Sequence, residues 1–209
     1  MTDDAFHYPN RIGRMILQAM EQAWGPEQLA EVLQQAGLPD LIGHYPPNNL
    51  KLQFPFEAVS SLQAATEVLF GEQDGRQALR EVGRRMLGIG LAEFEPLLGI
   101  ADLPTRHLPT GMKLRVGFDT FAMVFNRFTD QRVALSETAE DYLWIIERCP
   151  VCWGRHTQSP CCHLAVGILE EGLRWVSDGR RFEVEEIECV AAGGATCTIR
   201  IGKVPLSED

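Results

Sequence analysis

All six cysteines of this 209-residue chain fall in its last third, as Cys149-Pro-Val-Cys152, the adjacent pair Cys161-Cys162, and Cys189 with Cys197. Thiolates are the ligands that soft cations select, so sulfur gathered in this way points first to metal binding. The N-terminus lacks the basic and apolar regions of a secretory signal. That suggests a cytoplasmic chain, whose reduced thiols stay available as ligands and do not persist as disulfides. Taken one at a time, each cysteine also reads as a small buried hydrophobe.

Spacing singles out one set. Cys189 and Cys197 stand on two strand-like segments joined around Ala191-Ala-Gly-Gly194, a turn that can bring both sulfurs toward one point. Cys162 sits in the first turn of a helix, where free amides and the helix dipole favour a thiolate. Glu186 supplies the fourth donor, so that Cys162, Glu186, Cys189 and Cys197 form a Cys3Glu set suited to tetrahedral zinc. Residues i and i+3 of a regular strand point to opposite faces, so Glu186 and Cys189 meet at one ion only across a bulge or a strand end. Glu185 and Glu188 are the substitutes. A rival set is local: Cys149-x2-Cys152 completed by Cys161, His156 or His163. An iron–sulfur cluster ranks third, because the spacings match neither ferredoxin pattern. Zinc held by four protein ligands has no open position for water, which makes it structural and not hydrolytic.

Other chemistries lack their signatures. There is no G-x-G-x-x-G after a strand, no G-x-x-x-x-G-K-[ST], no G-x-S-x-G and no H-E-x-x-H, so dinucleotide, P-loop, hydrolase and zincin readings have no support. A net charge of -10 without a local Lys/Arg cluster argues against nucleic-acid binding by this chain alone. No apolar run approaches the ~18 residues of a membrane span. With 45% hydrophobic and 23% charged residues the chain is globular and long enough for a full core.

The elements that must position these groups change period along the chain. Ile12, Met15, Ile16, Ala19, Met20 and Ala23 predict one helix, stopped by Gly25-Pro26; Leu29, Val32, Leu33 and Ala36 predict a second, ended by Gly37 and Pro39. His44 to Asn49 reads as a connector. Val59, Leu62, Ala65 and Leu69 predict a third helix ending near Gly71, and residues 76–92 continue helically through Gly83, Gly88 and Gly90, either broken there or tightly packed. Residues 99–111, with Pro104 and Pro109, read as a loop. Val116 to Phe128 is an aromatic-rich helix whose phenylalanines are core residues or the wall of an apolar cavity. From Arg132 the pattern alternates: Val133 and Leu135, then Tyr142 to Ile146, predict strands. Ser159-Pro160 caps a helix with the face Cys162, Ala165, Val166, Leu169, Leu173 and Val176, and Phe182–Val190 and Thr196–Ile201 predict two more strands. The class is therefore α+β, a helical N-terminal half packed with a small antiparallel sheet. Residues 1–111 are expected to form the helical region and 112–205 the α+β region, the two continuous as one domain.

The segment Ser159-Pro-Cys-Cys-His-Leu-Ala-Val-Gly-Ile-Leu-Glu-Glu-Gly-Leu-Arg-Trp175, followed by Glu186-Ile-Glu-Cys-Val-Ala-Ala-Gly-Gly-Ala-Thr-Cys-Thr-Ile199, resembles the 4-vinyl reductase-like domain family. That family includes hydrocarbon-binding proteins, proteins of bacteriochlorophyll biosynthesis and sensor domains for aromatics, and its fold is similar to TRAPP subunits. The resemblance runs from about Phe118 to Val204. It implies a zinc site at Cys162, Glu186, Cys189 and Cys197, a homodimer, and a pocket between the aromatic helix and the sheet in which Phe121, Phe125 and Trp144 contact a hydrophobic or aromatic small molecule. The doubled cysteine leaves Cys161 or Cys162 open as ligand, and Cys149 with Cys152 is additional to the motif. The expected function is a zinc-containing sensor, carrier or delivery protein. The alternatives are a 4-vinyl reductase-type oxidoreductase or accessory protein of tetrapyrrole metabolism, and a protein-interaction module.

Overall fold

The computed structural model describes residues 5–98 and 109–207. The chain opens with a short strand, β1 (His7–Pro9), and then α1 (Asn10–Trp24) and α2 (Pro26–Gln35). Gly25 separates the two helices at φ 85°, a left-handed conformation that glycine adopts without steric cost, and Pro26 starts α2 where no amide hydrogen is needed. The expected connector leads to β2 (Leu52–Pro55), which pairs antiparallel with β1, a small ribbon that the spacing of apolar residues did not announce.

Two helices follow, α3 (Phe56–Phe70) and α4 (Glu72–Leu98). The glycines of α4 do not break it. A Cβ on Gly83 would lie 2.3 Å from the Leu164 carbonyl oxygen and one on Gly90 2.9 Å from the Met15 methyl, so both mark close approaches, while Gly88 meets nothing. Most of the expected 99–111 loop lies outside the described residues. Its last two residues already belong to α5 (Thr110–Phe128), which begins just after Pro109 and is longer than its aromatic stripe suggested.

The second half holds β3 (Arg132–Glu137), β4 (Asp141–Arg148), α6 (His163–Val176), β5 (Val184–Glu188) and β6 (Cys197–Gly202). The four strands form one antiparallel sheet in the order β3-β4-β6-β5. Inward residues alternate as a half-buried sheet requires, with Trp144, Ile146, Ile199 and Ile201 all buried. Helix α6 packs against α4 with backbone close to backbone, since a Cβ on Gly167 would lie 2.0 Å from the Arg80 carbonyl oxygen. The α+β class expected from the sequence is the class observed.

Helix α6 does not start at Ser159-Pro160. Cys162 is its N-cap, with non-helical φ -87° and ψ 47°, and its carbonyl accepts the first helical bond, from the Val166 amide at 3.1 Å. The Cys162 amide instead donates to Glu186 Oε2 at 2.7 Å, so the helix begins where the sheet supplies a carboxylate for one of its free amides.

Candidate functional site: a six-sulfur cluster and an apolar cavity

The three cysteine-bearing segments converge at the N-terminal end of α6. Cys149 and Cys152 arrive from the turn after β4, Cys161 and Cys162 precede the helix, Cys189 follows β5, and Cys197 opens β6. All six are buried and unbridged. Cys149 lies 3.5 Å from Cys162, and Cys152 lies 3.3 Å from Cys197, measured between sulfurs. Cys162 is 3.7 Å from Cys197 and 3.9 Å from Cys189, which is 3.9 Å from Cys197 and from Cys161. These separations far exceed the ~2.05 Å of a disulfide.

Two donor sets emerge, each with its ligand atoms within 4.8 Å of one another: Cys149, Cys152, Cys162 and Cys197, and Cys162, Glu186, Cys189 and Cys197. The strand geometry that Glu186 and Cys189 require is present. The pairing of β5 with β6 slips between Glu186 and Glu188, which throws Ile187 outward and ends the strand before Cys189. Glu185 is exposed and pairs with Arg200, while Glu188 accepts hydrogen bonds from the Ala195 amide and the Thr196 hydroxyl. Neither reaches the sulfurs. His156 is exposed; His163 is buried, its pKa lowered to about 4 by burial and by Arg76, Arg80 and Arg155, and it joins neither set.

Electrostatics in the cluster are strained. Burial, then Cys189, pushes the Glu186 carboxyl up to about 8, and its Oε1 is buried with no hydrogen-bond partner. Hydrogen bonds with neighbouring sulfurs, Cys152 first, hold Cys189 well below the usual thiol range, whereas those with Cys149 and its other neighbours push Cys162 up.

A second feature adjoins the other end of α6. A cavity of about 440 Å³ lies among α1, α4, α5 and α6, lined by Met15, Met86, Phe121, Phe125, Leu169 and Gly172 among others. Phe121 and Phe125 stand on its wall with ring centroids 5.0 Å apart. Trp144 is buried behind them, 5.6 Å from the Phe121 ring, and does not line the space. The cavity is lined mainly by helices and is not set between α5 and the sheet. Phe118, Phe121 and Phe125 line the cavity and also contact Trp144 of β4, so α5 stands between the cavity and the sheet. Its polar groups include Lys113, which is ion-paired to Asp178 at 2.6 Å.

No family model matches the chain, and no curated protein matches it in sequence. Solved structures do. The chain is similar to the Fe(II) unliganded H-NOX protein from K. algicida, at 14% identity, TM-score 0.61, and coverage of 96% of this chain and 97% of that one. It is also similar to a doubly substituted Tt H-NOX, at 16% identity, TM-score 0.57, and coverage of 96% and 98%. A structure described as probing the function of heme distortion in the H-NOX family matches at 16% identity, TM-score 0.52, and coverage of 97% and 98%. The fold is H-NOX-like.

These likenesses correct the reading of the sequence. The resemblance to the 4-vinyl reductase-like family is not upheld, and the tetrapyrrole-biosynthesis role falls with it, as do zinc as the cofactor and the warrant for a homodimer; the neighbours found are H-NOX domains, and one is described through its heme. They give no support to the TRAPP likeness.

Heme iron takes its axial ligand from imidazole, thiolate or phenolate, or from a thioether beside an imidazole. Among the described residues, the cavity wall carries no histidine, cysteine or tyrosine, and its sulfur is that of Met15 and Met86. The cysteines are gathered elsewhere, and His107 lies outside the described residues. The described wall therefore offers no imidazole, thiolate or phenolate ligand for heme iron. No helix among the described residues is long and apolar enough to cross a membrane.

Proposed function

We propose that the chain is a small-molecule sensor domain whose ligand is an uncharged apolar or aromatic molecule held among α1, α4, α5 and α6. The observation that carries this reading is the cavity itself: about 440 Å³, walled by aliphatic and aromatic side chains, with its lysine already neutralised. That volume is in the range of small-molecule sites, and such walls favour ligands that shed water on entry. Helix α6 runs from the sulfur cluster to the cavity, where Ile168, Leu169 and Leu173 form part of the wall. Occupancy at one end can thus be felt at the other through a single rigid element.

In the same reading Cys162, Glu186, Cys189 and Cys197 hold one thiophilic metal ion that fixes the start of α6. The support is geometric and independent of any family: four buried donors within 4.8 Å, one of them a carboxylate with an unpartnered oxygen.

Heme as the occupant is a second reading, favoured by the H-NOX-like fold alone. Titration with the uncharged fluorophore N-phenyl-1-naphthylamine, beside titration with hemin, separates the two. Saturable one-to-one enhancement of the naphthylamine without a ligated hemin band supports the apolar reading. A tight hemin complex with a sharp Soret band, or no naphthylamine binding, overturns it.

A further inference from the structure

We propose that the cluster binds two soft divalent cations that share the Cys162 and Cys197 thiolates. A second ion presupposes the one held by Cys162, Glu186, Cys189 and Cys197. What it adds is a use for Cys149 and Cys152, which that ion leaves buried and unassigned.

A tetrahedral ion accepts four donors, and seven are gathered here. Metal–sulfur bonds of about 2.3 Å place the sulfurs of one tetrahedron about 3.8 Å apart. The observed separations of 3.5 Å for Cys149 to Cys162, 3.3 Å for Cys152 to Cys197 and 3.7 Å for Cys162 to Cys197 approximate edges of one such tetrahedron. The 3.9 Å separations of Cys189 from Cys162 and from Cys197 match edges of another. The two donor sets have Cys162 and Cys197 in common, so the tetrahedra share an edge. Sulfide-bridged iron does not fit, because its core would hold thiolates on opposite irons further apart than these sulfurs stand.

Buried neutral thiols packing as small hydrophobes would account for the cysteines but not for Glu186. Its Oε2 accepts the Cys162 amide, but Oε1 lies in the cluster at 9% residue exposure without a partner, and a buried carboxylate oxygen left so is costly. Arg155 is close enough to act on Cys161, yet it is paired with Glu67. Two divalent ions offset the charge of five thiolates and one carboxylate far better than one. Cys161, 3.9 Å from Cys189 and outside both sets, stands as the spare donor on that side. Thiolate ligands choose the class of ion, soft and tolerant of tetrahedral sulfur.

The test uses the full chain and cadmium as the probe. Wild-type protein, stripped and titrated with Cd2+, should show thiolate charge-transfer absorption rising to an end point at two equivalents, and NMR of a spin-active cadmium isotope should give two resonances coupled to each other through shared sulfur. Joint Cys149→Ser and Cys152→Ser substitution should lower the end point to one. An end point of one in the wild type overturns the second ion, and the first stands only where the double variant keeps that one equivalent. No cadmium bound overturns both, and two uncoupled resonances overturn the sharing. If the double variant does not fold, the wild-type end point and coupling still decide.

Discussion

Glu186 and Glu188 are two residues apart and do different work because one residue between them is bulged out of the β5–β6 pairing. Glu186 turns into the sulfurs and holds the Cys162 amide, while Glu188 faces the turn and holds the Ala195 amide at 2.8 Å. Glu186→Gln should weaken cadmium binding at least tenfold by equilibrium titration, whereas Glu188→Gln should leave it unchanged and lower the melting temperature. Equal cadmium affinity in the two variants would contradict the assignment. At this scale the sequence was informative about geometry, since the strand rule required a bulge or a strand end between Glu186 and Cys189 and the β5–β6 pairing shows one. The sequence did not show that Cys149-x2-Cys152 and the Cys162 set are one cluster, because the segments are joined only by the way the turn after β4 folds back onto α6.

Helices α4 and α6 meet through two glycines whose places no other residue can take. A Cβ on Gly167 would lie 2.0 Å from backbone oxygen, which cannot yield as a side chain tip can. Gly167→Ala should therefore cost about 3 kcal/mol in chemical denaturation, at the upper end of overpacking penalties. A loss below about 0.5 kcal/mol would show that the two helices do not pack this closely. Gly172, one and a half turns further along α6, differs: the nearest atom to an added Cβ is the Leu87 methyl at 3.5 Å, and the residue lines the cavity. Gly172→Leu should retain the fold, with up to about 1 kcal/mol gained from helix propensity. Apart from the β1–β2 ribbon, helix and strand identities were legible from periodicity at this scale. The start of α6 was misplaced because Ser159-Pro160 is a locally good cap, while the real one at Cys162 depends on a carboxylate from β5 that lies distant in sequence.

Across the whole molecule, the arrangement of four helices around an apolar space and a four-stranded sheet behind α5 is H-NOX-like, and among the described residues the wall of that space carries no histidine, cysteine or tyrosine. The class of fold could be read from the change of period at Arg132, but the cavity could not: its wall draws on α1, α4, α5 and α6, and only the α5 phenylalanines announced themselves in sequence. Hemin mixed with the purified chain should give no sharp, ligated Soret band, and His107→Ala should not alter its spectrum. A ligated spectrum abolished by His107→Ala would instead place an axial ligand in the segment between α4 and α5.

The measurement that bears most directly on the cavity as the ligand site is the affinity of N-phenyl-1-naphthylamine for Gly172→Leu beside the wild type, with melting temperatures taken on the same samples. Filling the cavity from α6 should lower affinity at least tenfold while the melting temperature holds or rises. Unchanged affinity in a folded variant would contradict the account, because the probe would then be binding somewhere else.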